Sequence, residues 1–521
     1  MDVSVEVVPC SVSTIHVIII IFLGLATFLS AIKLLKRSGK SCGPLPPGPW
    51  KLPVIGNLLQ MVGDQPPHRR LMDLAKRHGP IMHLQLGEIS NIIVSSPEIA
   101  KEFLRTHDHN YATRPIFPAA RILSYGGRSV GFSPYGDYWR QMRKICTMEL
   151  LSGKRVDSLL KPIMEDEIRQ MVRSIHHLHQ GAVMDLSQTL YSVGTAIISR
   201  ALFGKLQGQE EAFLPVLHGI VEAYGGFALG NLFPSSNLIR RLSGTEKQAH
   251  KVHEEADVIL EAIIDEHVAT RKARSAKAND DDQVTEDLVD VLLNFKESQG
   301  LGFPFTNADI KAVILDMFLA GSDTFSSTVE WAISQLIMHP DVMKKVQAEV
   351  RQVFDKKGMI DEAGLQELSY LKAVVKESLR LYPPAPLLVR EGFQESVLIA
   401  GYQIPKKSKI MINVTAISQD PRNWTEPERF YPDRFIDPSN KTFDHKGPNF
   451  DYIPFGGGRR ICPGISFGSI VVDFLLASLL YHFDWQLPNG IKPQDLDMCE
   501  KFGSVVTRQN HLHLIPIAYK P

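Results

Sequence analysis

The stretch that most constrains this chain is DYIPFGGGRRICPGISFGS, residues 451–469, where a glycine run delivers one cysteine, Cys462, to the start of an apolar segment. Gly456, Gly457 and Gly458 open backbone conformations closed to other residues and let the chain approach a flat partner closely. Pro463 suits a first helical turn, where its missing N–H costs nothing. From Ile465 to Phe483 apolar residues recur at helical spacing, which predicts a long buried helix. A cysteine at a helix N-terminus has its thiolate favoured by the dipole and by free backbone N–H groups, and Arg459 and Arg460 add positive charge. Such a thiolate serves as a nucleophile or as ligand to a soft or redox metal. The loop offers no histidine as a base, and Cys10, Cys42, Cys146 and Cys499 supply no zinc-like spacing.

A single axial thiolate beneath haem iron needs only one cysteine. Phe455, Gly458, Arg460, Cys462 and Gly464 fill the pattern F-x-x-G-x-R-x-C-x-G. In this the segment resembles the haem loop of the cytochromes P-450, and the wider wording resembles the plant microsomal A-type group, in its branch rich in terpenoid hydroxylases. The resemblance implies a mainly α fold with small β sheets, preceded by a single N-terminal transmembrane helix. It implies haem b with Cys462 as the metal ligand and Phe455 and Arg460 beside it. The implied reaction inserts one atom of O₂ into a lipophilic plant metabolite, most readily a terpenoid, with or without successive oxidation. Electrons would come from NADPH through a separate NADPH–cytochrome P-450 reductase, since the chain has no flavin or nicotinamide motif of its own.

The other motifs fall in the family's order. Trp139 and Arg143 stand four apart, on one helix face, so an indole N–H and a guanidinium address one carboxylate together; the resemblance makes it a haem propionate, joined by Arg390 and Arg460. Thr306 and Asp309 form a capping box and Pro340 ends the helix they open; at ~1.5 Å per residue it spans roughly 50 Å. In its middle stands Ala320-Gly321-Ser322-Asp323-Thr324. A mid-helix glycine costs roughly 1 kcal/mol relative to alanine, which the absence of a side chain would repay by leaving room for a diatomic ligand. Thr324 relaxes the helix by bonding a backbone carbonyl. By resemblance Thr324 holds water beside dioxygen and Asp323 relays protons; Phe325 departs from the usual Ser or Thr. Glu377 and Arg380 match E-x-x-R. The resemblance joins this pair to a further arginine, and the family's register counted from Trp424 implies Arg434, in Pro432-Asp433-Arg434-Phe435, as that partner and Arg429 as a decoy. Resemblance assigns Phe117, Ile122, Phe318, Ala320, Leu387, Leu388 and Val505 to the substrate pocket.

With 521 residues, a net charge of zero and scattered, odd-numbered cysteines, the chain gives no argument for nucleic-acid binding or for a disulfide framework. Ser11 to Ala31 lacks Lys, Arg, Asp and Glu, about the ~20 residues a transmembrane helix needs. Asp2 and Glu6 precede it, and Lys33, Lys36, Arg37 and Lys40 follow, which puts the body on the cytosolic side of the endoplasmic reticulum membrane. We therefore expect a membrane anchor over 1–36, a basic and proline-rich hinge over 37–57 acting as a stiff spacer, and a haem-thiolate monooxygenase domain over 58–521. The glycine-rich apolar loop 224–234 is expected at the substrate entrance or the membrane, and 272–287 as a solvated linker. Two competing readings are a haem-thiolate isomerase or dehydratase acting on a peroxide, for which the Asp323–Thr324 relay has no use, and a non-enzymatic haem-binding scaffold.

Overall fold

Short strands and long helices alternate along the chain and enclose one large helical core. The computed structural model describes residues 44–520 apart from 205–209, 225–227, 277–285, 299–302, 394–396 and 438–448. The expected anchor, the first residues of the hinge and the middle of the expected linker lie outside the described residues.

The main sheet has four strands: β1 (Ile81–Leu86), β2 (Ile89–Val94), β3 (Leu387–Glu391) and β4 (Lys409–Asn413), in the order β1-β2-β4-β3. β1 and β2 form a hairpin with Ile81 opposite Val94. β4 runs parallel to β2 and antiparallel to β3. The hairpin turn needs a glycine: Gly87 has φ +58°, and a Cβ there would stand 2.6 Å from Leu232 O. Residues 44–57 do not behave as a spacer. Pro47 O accepts from His83 N at 2.8 Å, Pro44 O accepts from Gln403 N at 3.0 Å, and Asn57 Nδ2 donates to Trp50 O at 2.8 Å. A proline-rich strand cannot pair with itself, but its free carbonyls satisfy neighbouring N–H groups. This part of the hinge belongs to the body.

The site-forming helices are α1 (Pro67–His78), α2 (Pro118–Leu123), α3 (Asp137–Ile145), α4 (Leu186–Phe203), α5 (Glu210–Ala223), α6 (Thr245–Ala276), α7 (Asn307–Gly321), α8 (Asp323–Met338), α9 (Ser369–Leu381) and α10 (Ile465–His482). α6 takes in the first residues of the expected linker, and Asp287 near its end is ordered by an ion pair with His267 at 3.0 Å. α10 is apolar enough to cross a membrane, but 67% of it is buried: it is the core helix that follows the cysteine loop. In the loop after α5, Leu229–Leu232 makes a helical turn that docks on the hairpin through Glu88 N–H to Leu232 O, 2.9 Å.

The helix opened by the Thr306–Asp309 capping box is interrupted at Ser322, giving α7 and α8. Ser322 Oγ donates to Phe318 O at 2.8 Å and Thr324 Oγ1 to Ala320 O at 2.6 Å. Two hydroxyls competing for carbonyls two residues apart loosen the helical ladder at this point. Gly321 has a different reason from the one expected. A Cβ on it would lie 2.6 Å from Ile198 Cδ1 of α4, so the glycine lets α4 approach closely and leaves no free space for a ligand. Gly194 of α4 does the same from the other side, 2.8 Å from Ser322 O, with Phe325 beside it.

Behind the sheet, a fully buried carboxylate organises the chain between α9 and the cysteine loop. Arg380 Nε and Nη2 donate to Glu377 at 2.7 and 2.9 Å, and Arg434 Nε donates to the same carboxylate at 3.0 Å. The two guanidinia then hold five backbone carbonyls, those of Ser418, Thr425, Glu426, Pro427 and Arg429. Arg429 itself points to solvent and pairs with Glu426. Removing one partner of a buried charge network strands the others and costs about 3–5 kcal/mol. E377A is therefore expected to lower the unfolding midpoint in urea and to reduce haem retention sharply, while R429A leaves both near wild type.

Candidate active site

The cysteine loop is shaped by sterics. Gly456 and Gly458 sit at φ +76° and +68°, and a Cβ on Gly458 would lie 2.4 Å from Leu104 O and 2.5 Å from Asp108 Oδ1. That close approach lets Asp108 accept from the Arg459 backbone N–H at 3.0 Å and from its guanidinium at 2.8 Å. Cys462 N–H donates to Phe455 O at 3.1 Å, closing the loop. Helix α10 begins at Ile465 with Gly464 as its N-cap, so Pro463 precedes the helix rather than opening it. The thiol also differs from expectation. Burial pushes Cys462 up, and the Gly464 N–H with Arg143 and Arg114 only partly offsets it. The sulfur stands short of the helix terminus in a dry setting, where the charged form is disfavoured unless a cation is bound.

Four arginines surround this loop. Arg390, on β3, is 1% exposed; its Nη1 donates to Val389 O at 3.0 Å, while Nε and Nη2 have no partner among the described residues. Arg114, outside the motifs above, is half-buried, its Nε has no partner among the described residues, and its charge is felt at Cys462, Arg390 and Arg460. Burial, then the neighbouring guanidinia, pushes Arg390 down to about 9 and Arg460 to about 8. Arg143 donates to Ile461 O at 2.5 Å, next to the cysteine. Buried cations so close together, with N–H groups unspent, fit the two carboxylates of haem b, and Cys462 fits its iron. The signal for Arg114 was its place in Tyr111-Ala112-Thr113-Arg114-Pro115, at the start of a segment, 111–134, rich in Gly, Pro and aromatic residues.

Two expected propionate contacts take another form. Trp139 has one donor, and it goes to Val130 O at 3.0 Å. Arg460 stacks on that indole at 4.4 Å and donates to the carbonyls of Ala112, Val130 and Ser133. An irregular loop exposes unpaired carbonyls that need donors, so Trp139 and Arg460 hold the loop 112–133 in place.

Asp316, Ala320 and Thr324 recur every four residues and share one helix face. Ala320 is exposed although it lies mid-helix, so this face borders the interior cavity. Asp316 accepts from Gly131 N at 3.2 Å and fastens the loop to it; burial holds its carboxyl up at about 6. Asp323 is half-buried and raised by burial, with Ser322 Oγ at 3.4 Å and the charge of His218 opposing the shift. Phe318 does not line a pocket: it is 1% exposed and packs on Phe203 and Phe213, because it lies on the opposite side of α7 from Ala320. Phe117 meets Phe132 edge-on at 6.0 Å, and Phe132 stacks on Tyr224 at 5.1 Å. Ile122 packs on the main core. Strand alternation separates Leu388, 3.6 Å from the Cβ position of Gly456, from Leu387, which packs with Leu71, Met82 and Phe233 on the other face. Val505 is buried beside Val506, whose carbonyl accepts from Ser327 Oγ at 2.7 Å.

Comparison with known proteins agrees with this geometry. The family model described as Cytochrome P450 matches residues 46–515. The chain is 51% identical to the desmethyl-deoxy-podophyllotoxin synthase of Sinopodophyllum hexandrum, over 91% of each chain. It is 45% identical to the premnaspirodiene oxygenase of Hyoscyamus muticus, over 96% of this chain and 98% of that one. It is 44% identical to the 5-epiaristolochene 1,3-dihydroxylase of Nicotiana tabacum, with the same coverage of 96% and 98%. Among solved structures, a zebra fish cytochrome P450 with progesterone shares the fold at a TM-score of 0.72 and 24% identity, covering 87% of this chain and 99% of its own. The chain thus belongs to the cytochrome P450 family: it is a monooxygenase with a haem-thiolate iron cofactor that draws electrons from a redox partner.

Proposed function

We propose that this protein is a membrane-anchored plant monooxygenase of the endoplasmic reticulum that oxidises a lipophilic specialised metabolite, a terpenoid, with electrons from NADPH–cytochrome P-450 reductase. The observation that carries the chemistry is the alignment of Ala320 and Thr324 on one face of the broken helix, in a chain whose loop cysteine is framed by arginines with unspent N–H groups. Haem, when bound, supplies dioxygen activation. The chain supplies the rest. Cys462 would hold its iron, and Arg390, Arg114 and Arg143 would hold the propionates. Thr324 spends its own proton on Ala320 O, so its oxygen acts by accepting a hydrogen bond and fixing a water. Asp323, raised by burial, is a carboxyl able to carry a proton inward and to be recharged from solvent.

The substrate reading rests on the apolar and aromatic character of Phe117, Phe132, Ala320 and Leu388, and on relatives named for premnaspirodiene and 5-epiaristolochene. Membrane attachment is supported by a patch of exposed apolar side chains. Val54, Leu59 and Val62 lie near the N-terminal end, and Leu229, Leu238 and Leu242 after α5. Their neighbours Ile55, Leu58 and Ile239 pack in one cluster, so the two groups are adjacent. Reductase docking is supported by an open concavity of about 370 Å³ on the cysteine side, lined by Arg140, Arg143, Lys144 and Arg459 with Tyr135 and Trp139.

Three measurements test this reading. Reduced, carbon-monoxide-treated wild type should show the long-wavelength Soret band of thiolate-ligated haem, and C462A should lose it. With a sesquiterpene panel, T324A should form roughly tenfold less product per NADPH consumed while NADPH consumption continues; unchanged coupling would favour the peroxide isomerase. R140E/K144E should slow reductase-supported turnover roughly tenfold at low salt, with the difference shrinking as salt rises. An intact Soret band with undiminished turnover would remove that docking face.

A further inference from the structure

One cluster of polar groups outside the haem site lies where α6 crosses the first turns of α7. Lys311, on α7, has a side chain only 5% exposed, and its ammonium bonds Asp257 Oδ1 at 2.6 Å and Glu261 Oε2 at 2.5 Å, both on α6. Those carboxylates stand four apart on one face of α6, with His253 one turn earlier. Asn307, one turn before Lys311, donates to Glu261 Oε1 at 2.7 Å. The third element at the junction is the end of α2. The Tyr125 ring lies 5.9 Å from the Lys311 ammonium and meets the His253 ring at 4.6 Å. Tyr125 sits at φ +52°, a left-handed conformation that a non-glycine residue keeps only when its surroundings hold it there. Three residues on, Arg128 donates to Asp309 of the same helix at 2.8 Å.

These contacts join the elements that border the cavity to the helix that carries its proton-handling residues. α2 follows Phe117 in the chain, α6 packs on α2 and α5, and α7 leads into Asp323 and Thr324. A single desolvated ammonium shared by two carboxylates is strong while it is intact and weak once water enters. The outer ends of the latch, Asp257 and Glu261, are 41% and 42% exposed, so solvent stands ready to replace it. Neither helix could part from the other without stranding a charge. We infer that Lys311 is a positioning residue that latches α6 and the end of α2 over the cavity, and that entry of ligands to the haem pocket runs through breaking this latch.

The inference rests on haem being seated as proposed, so the test reads haem directly and separately from turnover. Full-length, haem-loaded K311M and K311R are compared with wild type by flash photolysis of the reduced carbon-monoxide complex, after the Soret band has shown each to be correctly ligated. Breaking the latch raises the open population, and second-order rebinding in K311M should quicken at least roughly fivefold. K311R, which keeps the cation, should stay near wild type. Rebinding in K311M that matches wild type, together with a lowered melting temperature, would make Lys311 a stability element only and overturn the proposal. Where K311M fails to load haem, D257N and E261Q, at the half-exposed ends, take its place with the same expected and overturning results. Loss of the Soret band from wild type itself would instead refute the haem assignment.

Discussion

Glu377 is one carboxylate with no access to water, and the chain around the haem site is arranged to satisfy it. Two guanidinia neutralise it, and each then needs partners of its own, which backbone carbonyls from Ser418 to Arg429 provide. An irregular segment cannot satisfy its own carbonyls, so the arginines and the segment stabilise each other. The same segment leads to the cysteine loop, whose Tyr452 hydroxyl is fastened to Lys376 O of α9 at 3.0 Å. One buried charge thereby fixes the position of Cys462 relative to α9 and α10. Such a network adds specificity more than stability, because every member is costly to leave unpaired.

On the other side of the loop the balance is reversed. Arg114, Arg143, Arg390 and Arg460 are held together with little negative charge nearby, Asp316 and Asp108 being the acids whose influence reaches them. Several of their N–H groups are spent on carbonyls of the loop 112–133, and some are not spent at all. The region has the properties of a receptor prepared for a dianionic ligand: desolvated, positively charged and rigidly supported. Haem binding would therefore complete the fold here as well as supply the chemistry, which links cofactor retention to stability.

The broken helix shows how one segment meets two demands. Its Gly321 and the facing Gly194 allow α4 to pack closely at the break. The opposite face presents Ala320 and Thr324 to the cavity. Phe325 fills space against Gly194 where a small polar residue was the commoner expectation, so packing takes the place of an outer hydrogen bond at that position.

Several features were legible in the sequence because they depend on local spacing. The capping box at Thr306 and the apolar helix after Cys462 follow from residues a few positions apart, and the choice of Arg434 over Arg429 from the family's register counted from Trp424. What the sequence alone could not decide was which partner each side chain meets across the fold. Trp139 and Arg460 went to loop carbonyls, Gly321 made room for Ile198, Phe318 turned into the core, and residues 44–57 docked on the sheet. Arg114 and Lys311 gain their importance only from groups far along the chain. By itself the sequence determined the family and the local helix signals, since motif spacing and periodicity are properties of neighbouring residues. The tertiary structure decided which charges are buried and which N–H groups remain unspent, because desolvation depends on every element packed around a group and on no single stretch of chain.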